Sequence, residues 1–226
     1  MCMPALRCWR ITLGAALLAA LSLAAPARAD IGGPVTISLL APGGLLGDST
    51  PIALSDLVSG GDGVKLEAGD SSNIGSFMLP LERISFAGDS LRLRVNAGAV
   101  LADGSLVTGY LGSGGAAARY EFSGLSIAGR RIVGLAFSDK DGFLDSGFSG
   151  LLSPADPGSY VHLLHAQQLS VDLSDLVFKD RGNGQSNSYL ELRIDLLTQP
   201  VPEPASSALL LAGGLLLVWR LRRVRG

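Results

Sequence analysis

Residues 30–199 of this 226-residue chain contain no cysteine and no tryptophan; Cys2, Cys8, Trp9 and Trp219 all lie outside them. The missing cysteine excludes a disulfide framework, a cysteine-based zinc site and a cysteine nucleophile in this stretch. The missing tryptophan removes the usual flat platform for a sugar ring. Charge is scarce, at 17% of residues, and positive charge is scarcer inside 30–199 than outside. There, eleven Lys and Arg face nineteen Asp and Glu, a net charge of −8. An acidic body repels phosphates, so nucleic acid is not expected as a partner. Also missing are a G-x-S-x-G nucleophile elbow and a phosphate-binding GxxxxGK[ST] loop.

The hydrophobic excess, 47% overall, is concentrated at the two ends. Arg7 and Arg10 precede an apolar run over 11–25, followed by Ala27-Arg28-Ala29. A basic start, a short apolar stretch and an A-x-A site form a secretory signal peptide, with cleavage expected between Ala29 and Asp30. Cys8 precedes the apolar run, so a lipoprotein signal does not fit. At the other end, Val201-Pro202-Glu203-Pro204 is locked in extended form by its prolines. An apolar segment over 205–219 follows, with Ser206 and Ser207 as its polar residues. Arg220, Arg222, Arg223 and Arg225 end the sequence as a stop-transfer cluster, and Trp219 stands where an interfacial anchor belongs. This predicts a short transmembrane helix over 205–219, with the body outside and the basic tail inside.

Pro202, Glu203 and Pro204, the apolar segment and the terminal arginines together resemble the PEP-CTERM sorting signal. The resemblance implies recognition by an exosortase, a membrane protease of Gram-negative bacteria. That enzyme removes the tail and passes the protein to the cell surface or extracellular matrix. It also implies a setting of exopolysaccharide and biofilm production. The match covers about 26 residues at the C-terminus. It identifies a sorting label and says nothing of what the body does.

The expected organisation is a signal peptide over 1–29, an exported domain over 30–199 and a sorting signal over 200–226. The domain holds 26 of the 30 glycines. Apolar and polar residues alternate around Arg92 and Arg94, and again around Glu191, Arg193 and Asp195. Period two places one face in a core and the other in water. Further strands are expected at 35–40, 52–58, 64–67, 75–79, 82–86, 119–127, 131–137 and 169–178. Glycine turns such as Asp103-Gly104 and Ala128-Gly129 separate them. About ten strands predict an all-β fold, an antiparallel β-sandwich of jelly-roll type. Residues 162–168 read as one or two turns of helix. The pentapeptide Leu54-Ser55-Asp56-Leu57-Val58 recurs as Leu173-Ser174-Asp175-Leu176-Val177; chance or a shared way of ending a strand explains it better than duplication.

Few residues suggest chemistry. Asp139, Asp141 and Asp145, around Gly142, present carboxylates at a spacing that suits calcium, although Lys140 and Phe143-Leu144 interrupt the run. No other cofactor is indicated. Asp62, Asp70 and Asp180 are weaker candidates in other turns. His162 and His165 have the spacing of a helical metal pair but lack the glutamate of H-E-x-x-H. Ser113 and Ser149 sit in glycine-rich stretches without the elbow spacing. Of Glu67, Glu82, Glu121 and Glu191, three fall in alternating strands on faces expected to point outward. No catalytic residue is assigned, and an enzyme is not expected. The expectation is a structural or adhesive surface protein, with signal peptidase and exosortase as processing partners and exopolysaccharide as a candidate ligand. Two alternatives are a carbohydrate-binding module using Tyr110, Tyr120, Tyr160 and Tyr189, and a single-span envelope hydrolase.

Overall fold

The computed structural model describes residues 30–138, 150–180 and 188–201. These form antiparallel sheets, with no α-helix among the described residues. The strands are β1 (Ile31–Gly32), β2 (Pro34–Ala41), β3 (Gly44–Leu45), β4 (Ile52–Ser59), β5 (Gly63–Glu67), β6 (Arg83–Ala87), β7 (Ser90–Val100), β8 (Leu106–Thr108) and β9 (Tyr110–Leu111). They continue as β10 (Arg119–Ser123), β11 (Ser126–Ile127), β12 (Arg130–Ser138), β13 (Leu151–Ser153), β14 (Val161–His165), β15 (Gln168–Asp172), β16 (Val177–Phe178) and β17 (Tyr189–Pro200).

One ten-stranded sheet runs β1-β11-β12-β17-β7-β8-β16-β13, with β6 also paired to β7 and β5 to β6. A five-stranded sheet runs β14-β15-β10-β2-β4, and β3 pairs β9 separately. Alternation explains both large sheets. In β2, Val35, Ile37 and Leu39 are fully buried, as are Tyr120 and Phe122 of β10. In β17, Leu190, Leu192, Ile194 and Leu196 go inward while Glu191, Arg193 and Asp195 lie on the other face. The buried faces of both sheets contribute to one hydrophobic cluster, so the fold is β-sandwich-like.

Two expected strands are broken, and each break carries the chain from one sheet to the other. The stretch 119–127 splits into β10 of the five-stranded sheet and β11 of the ten-stranded one. Gly124 lies between them at φ 84°, a conformation in which glycine meets no Cβ penalty. The stretch 169–178 splits likewise into β15 and β16, with a turn over 173–176 closed by Leu176 N–H donating to the Leu173 carbonyl. The expected helical turn at 162–168 is instead the β14–β15 hairpin: Val161 pairs Val171 and His165 pairs Gln168, with Ala166-Gln167 as the turn. The expected strand at 75–79 is a run of tight turns, in which Met78 N–H bonds the Ile74 carbonyl.

Several loops are fastened by aspartates two residues before a hydroxyl. Asp48 accepts from the backbone and side chain of Thr50 at 3.0 and 2.7 Å. Asp103 does the same with Ser105 at 3.0 and 2.6 Å, and Asp70 with Ser72. These are Asx turns, in which the side chain supplies the acceptor that the backbone lacks. Hydroxyl donation holds the Asp48 and Asp103 carboxyls below the usual carboxylate range.

Both ends of the described body lie on one transverse row of the ten-stranded sheet. Register places Ile31 opposite Ile127, Ile127 opposite Arg130, and Arg130 opposite Pro200, a single row across β1, β11, β12 and β17. Val201 N–H then donates to the Gly129 carbonyl.

Candidate functional site

An apolar cleft of about 470 Å³ opens between β7 and the segment before β6, lined in part by Leu45, Leu46, Leu79, Pro80, Asn96 and Gly98. Gly98 sits where β7 bulges against β8, between Ala97 and Ala99. A side chain there would run into the backbone of Gly109. Beneath the cleft lies Glu82, only 1% exposed. Its carboxylate accepts from Leu79 N–H at 3.0 Å, Asn96 N–H at 3.0 Å and the Tyr110 hydroxyl at 2.5 Å. Asn96 completes the clasp by donating to the Pro80 carbonyl at 2.5 Å. Leu81, between Pro80 and Glu82, is the one non-glycine residue at positive φ (69°) among the described residues, so the clasp holds a strained backbone in place.

Burial pushes the Glu82 carboxyl up to about 7, against the opposing pull of its three donors. Burial also pushes the Tyr110 hydroxyl up, reinforced by Tyr120 and the Glu82 charge. Tyr120 packs edge-on to Tyr110 at 6.2 Å between ring centroids, and burial together with the Glu82 charge raises it too. Its hydroxyl is buried and meets no hydrogen-bond partner in good geometry. A carboxyl whose oxygens are engaged by its own backbone and a tyrosine works as a latch. It ties the end of the 68–82 segment to β7 and β9.

On the opposite, outward face of the ten-stranded sheet the chemistry is cationic. Register sets Arg83 of β6 opposite Arg94 of β7, and Arg92 of β7 opposite Arg193 of β17. Arg94 is compensated: it meets Glu191 at 2.6 Å and stacks on the Tyr189 ring at 4.0 Å. Arg193 meets Asp195 at 2.7 Å. Arg83 and Arg92 make no ion pair among the described residues, and Arg92 Nε is buried without a hydrogen-bond partner. A small hollow of about 50 Å³ lies among Arg83, Ser85, Arg92, Arg94 and Glu191.

The residues singled out in the sequence fall as follows. Ala27 and Ala29, Pro202, Glu203 and Pro204, the 205–219 segment and the terminal arginines lie outside the described residues, as do Asp139, Asp141 and Asp145. Asp30 opens the described body immediately before β1. Asp62 accepts from Gly88 N–H at 2.6 Å and Asp180 from the Ser188 hydroxyl at 2.5 Å; with Asp70, they fasten loops. No group of three or more metal-ligating side chains occurs among the described residues. His162 and His165 stand on β14; His162 lies 3.4 Å from Asp172 of the neighbouring strand, and His165 is exposed at the hairpin. Ser113 is in an exposed turn, and Ser149 is outside the described residues. Tyr110, Tyr120 and Tyr160 are core residues at 2% exposure or less, and Tyr189 lies under Arg94. Glu82 is the glutamate whose position departs most from expectation, being interior and not outward.

Two features were missed by sequence reasoning. Glu82 carries no local signal beyond following Pro80. The alternation that contains Arg92 and Arg94 was visible, but their opposition to Arg193 and Arg83 depends on register. Compared with protein-family models, curated proteins and solved structures, the chain matches none.

Proposed function

We propose that the chain is an exported surface or extracellular-matrix protein of a Gram-negative bacterium, with a structural or adhesive role linked to exopolysaccharide and biofilm. Signal peptidase removes 1–29. The 205–219 helix then anchors the precursor in the inner membrane until an exosortase acts at the Pro202-Glu203-Pro204 signal. The body is a jelly-roll-like sandwich carried as cargo, and it works without catalysis. The observation that carries this reading is the abrupt change at Val201. The last strand is bonded up to that residue, and the motif, apolar segment and arginine cluster follow without a spacer. The burial of three tyrosines supports a structural body over a sugar-stacking module.

Intact-mass and terminal-peptide analysis of the native protein, from membranes and from culture medium, tests it. The expected product begins at Asp30 and lacks residues 205–226. An intact tail in the membrane fraction, with none released, would make the protein a plain single-span envelope protein and remove the link to exopolysaccharide.

A further inference from the structure

Like charges directly opposite each other on neighbouring strands destabilise a sheet. This sheet carries two such pairs in adjacent rows, Arg83 with Arg94 and Arg92 with Arg193. Glu191 neutralises Arg94 of the first pair and Asp195 neutralises Arg193 of the second. Glu67 stands opposite Arg83 on β5 but closes no ion pair with it. Arg83 and Arg92, diagonal neighbours on β6 and β7, are therefore left without an ion pair among the described residues, in a body whose net charge is −8. A local rule broken without compensation inside the fold points to a group supplied from outside.

We propose that the outward face of β6, β7 and β17 binds an anionic polysaccharide, with Arg83 and Arg92 pairing its carboxylate or sulfate groups. Several observations converge on that class. The hollow among Arg83, Ser85, Arg92, Arg94 and Glu191 has room for one small anionic group beside the Glu191 carboxylate that Arg94 already holds, and Arg92, which lines it, keeps a buried Nε–H with no hydrogen-bond partner. A guanidinium presents a planar fork that matches a carboxylate or sulfate oxygen pair. The sheet face is extended and lies across three strands, so it suits a chain that offers charges at intervals. Polynucleotide is disfavoured on the same page: single strands are held by aromatic stacking, and the aromatic side chain here, Tyr189, is already covered by Arg94. The body's overall negative charge acts weakly at this range, since screening in physiological salt cuts in at about 8 Å. The choice of polysaccharide rests on the reading of a matrix protein; the arginine geometry does not.

Affinity electrophoresis of the full chain through gels containing polygalacturonate, dextran sulfate or neutral dextran tests the proposal. Retardation is expected in one or both charged gels and not in neutral dextran, and is lost at high salt. Which charged gel retards tells whether carboxylate or sulfate is the group bound. The double variant Arg83→Ala/Arg92→Ala is expected to bind at least tenfold more weakly. The control Arg130→Ala/Arg131→Ala, at exposed arginines on β12 where it pairs the far end of β17, outside the β6 and β7 rows, is expected to bind as the parent does. Because the double variant relieves repulsion, its melting temperature should hold or rise, which separates lost binding from lost fold. No retardation in either charged gel, equal retardation in neutral dextran, or equal binding by the double variant overturns the proposal. Tighter arginine-dependent binding to single-stranded DNA overturns it too. None of these outcomes depends on the fate of the tail, which is scored by mass.

Discussion

The same five residues, Leu-Ser-Asp-Leu-Val, occur twice and adopt two forms. At 54–58 they lie in β4, at the edge of the five-stranded sheet. At 173–177 they form the corner where the chain leaves β15 for β16. The two leucines are three residues apart. In a strand that spacing sends them to opposite faces, and Leu57 is 72% exposed. In the turn the spacing brings them to the same side, and Leu173 and Leu176 are both fully buried. The polar residues exchange roles as well. In the first copy Asp56 is the anchor, accepting from Asn73 N–H at 3.0 Å and Ile74 N–H at 2.7 Å, while Ser55 stays exposed. In the second copy Ser174 is the anchor, accepting from Ala118 N–H at 2.7 Å, while Asp175 is exposed. Local sequence offers both forms, and the neighbouring strands choose between them.

Identical substitutions in the two copies should therefore give different results. Leu176→Ala or Leu173→Ala should cost about 2–5 kcal/mol, through lost burial and a cavity. Leu57→Ala should change stability by less than about 0.5 kcal/mol. Urea unfolding followed by circular dichroism reads both, and equal losses would dissolve the distinction between strand and corner.

The next effect concerns the segment that Asp56 holds. Its far end is closed by Glu82, whose folded-state carboxyl lies at about 7, above its ordinary value of 4.5. Between these two values the folded state binds more protons than the unfolded chain. Glu82's contribution is therefore fully present below pH 4.5 and is lost as pH rises through 7. The span corresponds to about 3 kcal/mol. Glu82→Gln should flatten stability across that window, and unfolding midpoints at a series of pH values will show whether it does.

Smaller effects come from the anchors. Asp56→Ala should cost about 1–3 kcal/mol by stranding the amides of Asn73 and Ile74. Hydrogen exchange at those two amides should accelerate, while Asp175→Ala leaves exchange unchanged. Ser174→Ala should cost about 1 kcal/mol, by orphaning the buried Ala118 N–H. If Asp175→Ala matched Asp56→Ala, the anchors would have been misassigned.

The contrast also shows where sequence is legible. Alternation located β2, β4, β6, β7 and β17, because each has one wet face and one dry face along its length. It ran straight through the corners at 124–125 and 173–176. The residues on both sides remain apolar and alternating while the sheet they join changes. Nothing in the pattern marked Glu82 as interior, since a lone carboxylate acquires its donors from Leu79, Asn96 and Tyr110, which folding brings together. The same holds for the arginine face: Arg92 and Arg94 are neighbours in sequence, but Arg83 and Arg193 become their opposites only through pairing. Of the four tyrosines expected to be available to sugars, Tyr110, Tyr120 and Tyr160 are buried in the core and Tyr189 lies under Arg94.

The row from Ile31 to Pro200 has a mechanical consequence. β17 reaches its exit at Val201 bonded first to β7, over 189–195, and then to β12, over 193–200. In an antiparallel sheet those bonds stand across the strand. A pull along β17 from the tail, with the body gripped at its arginine face, loads them in shear, as a row sharing one load, and not singly from the end. A protein hung by its C-terminus in moving water would meet drag in the direction its longest strand resists best.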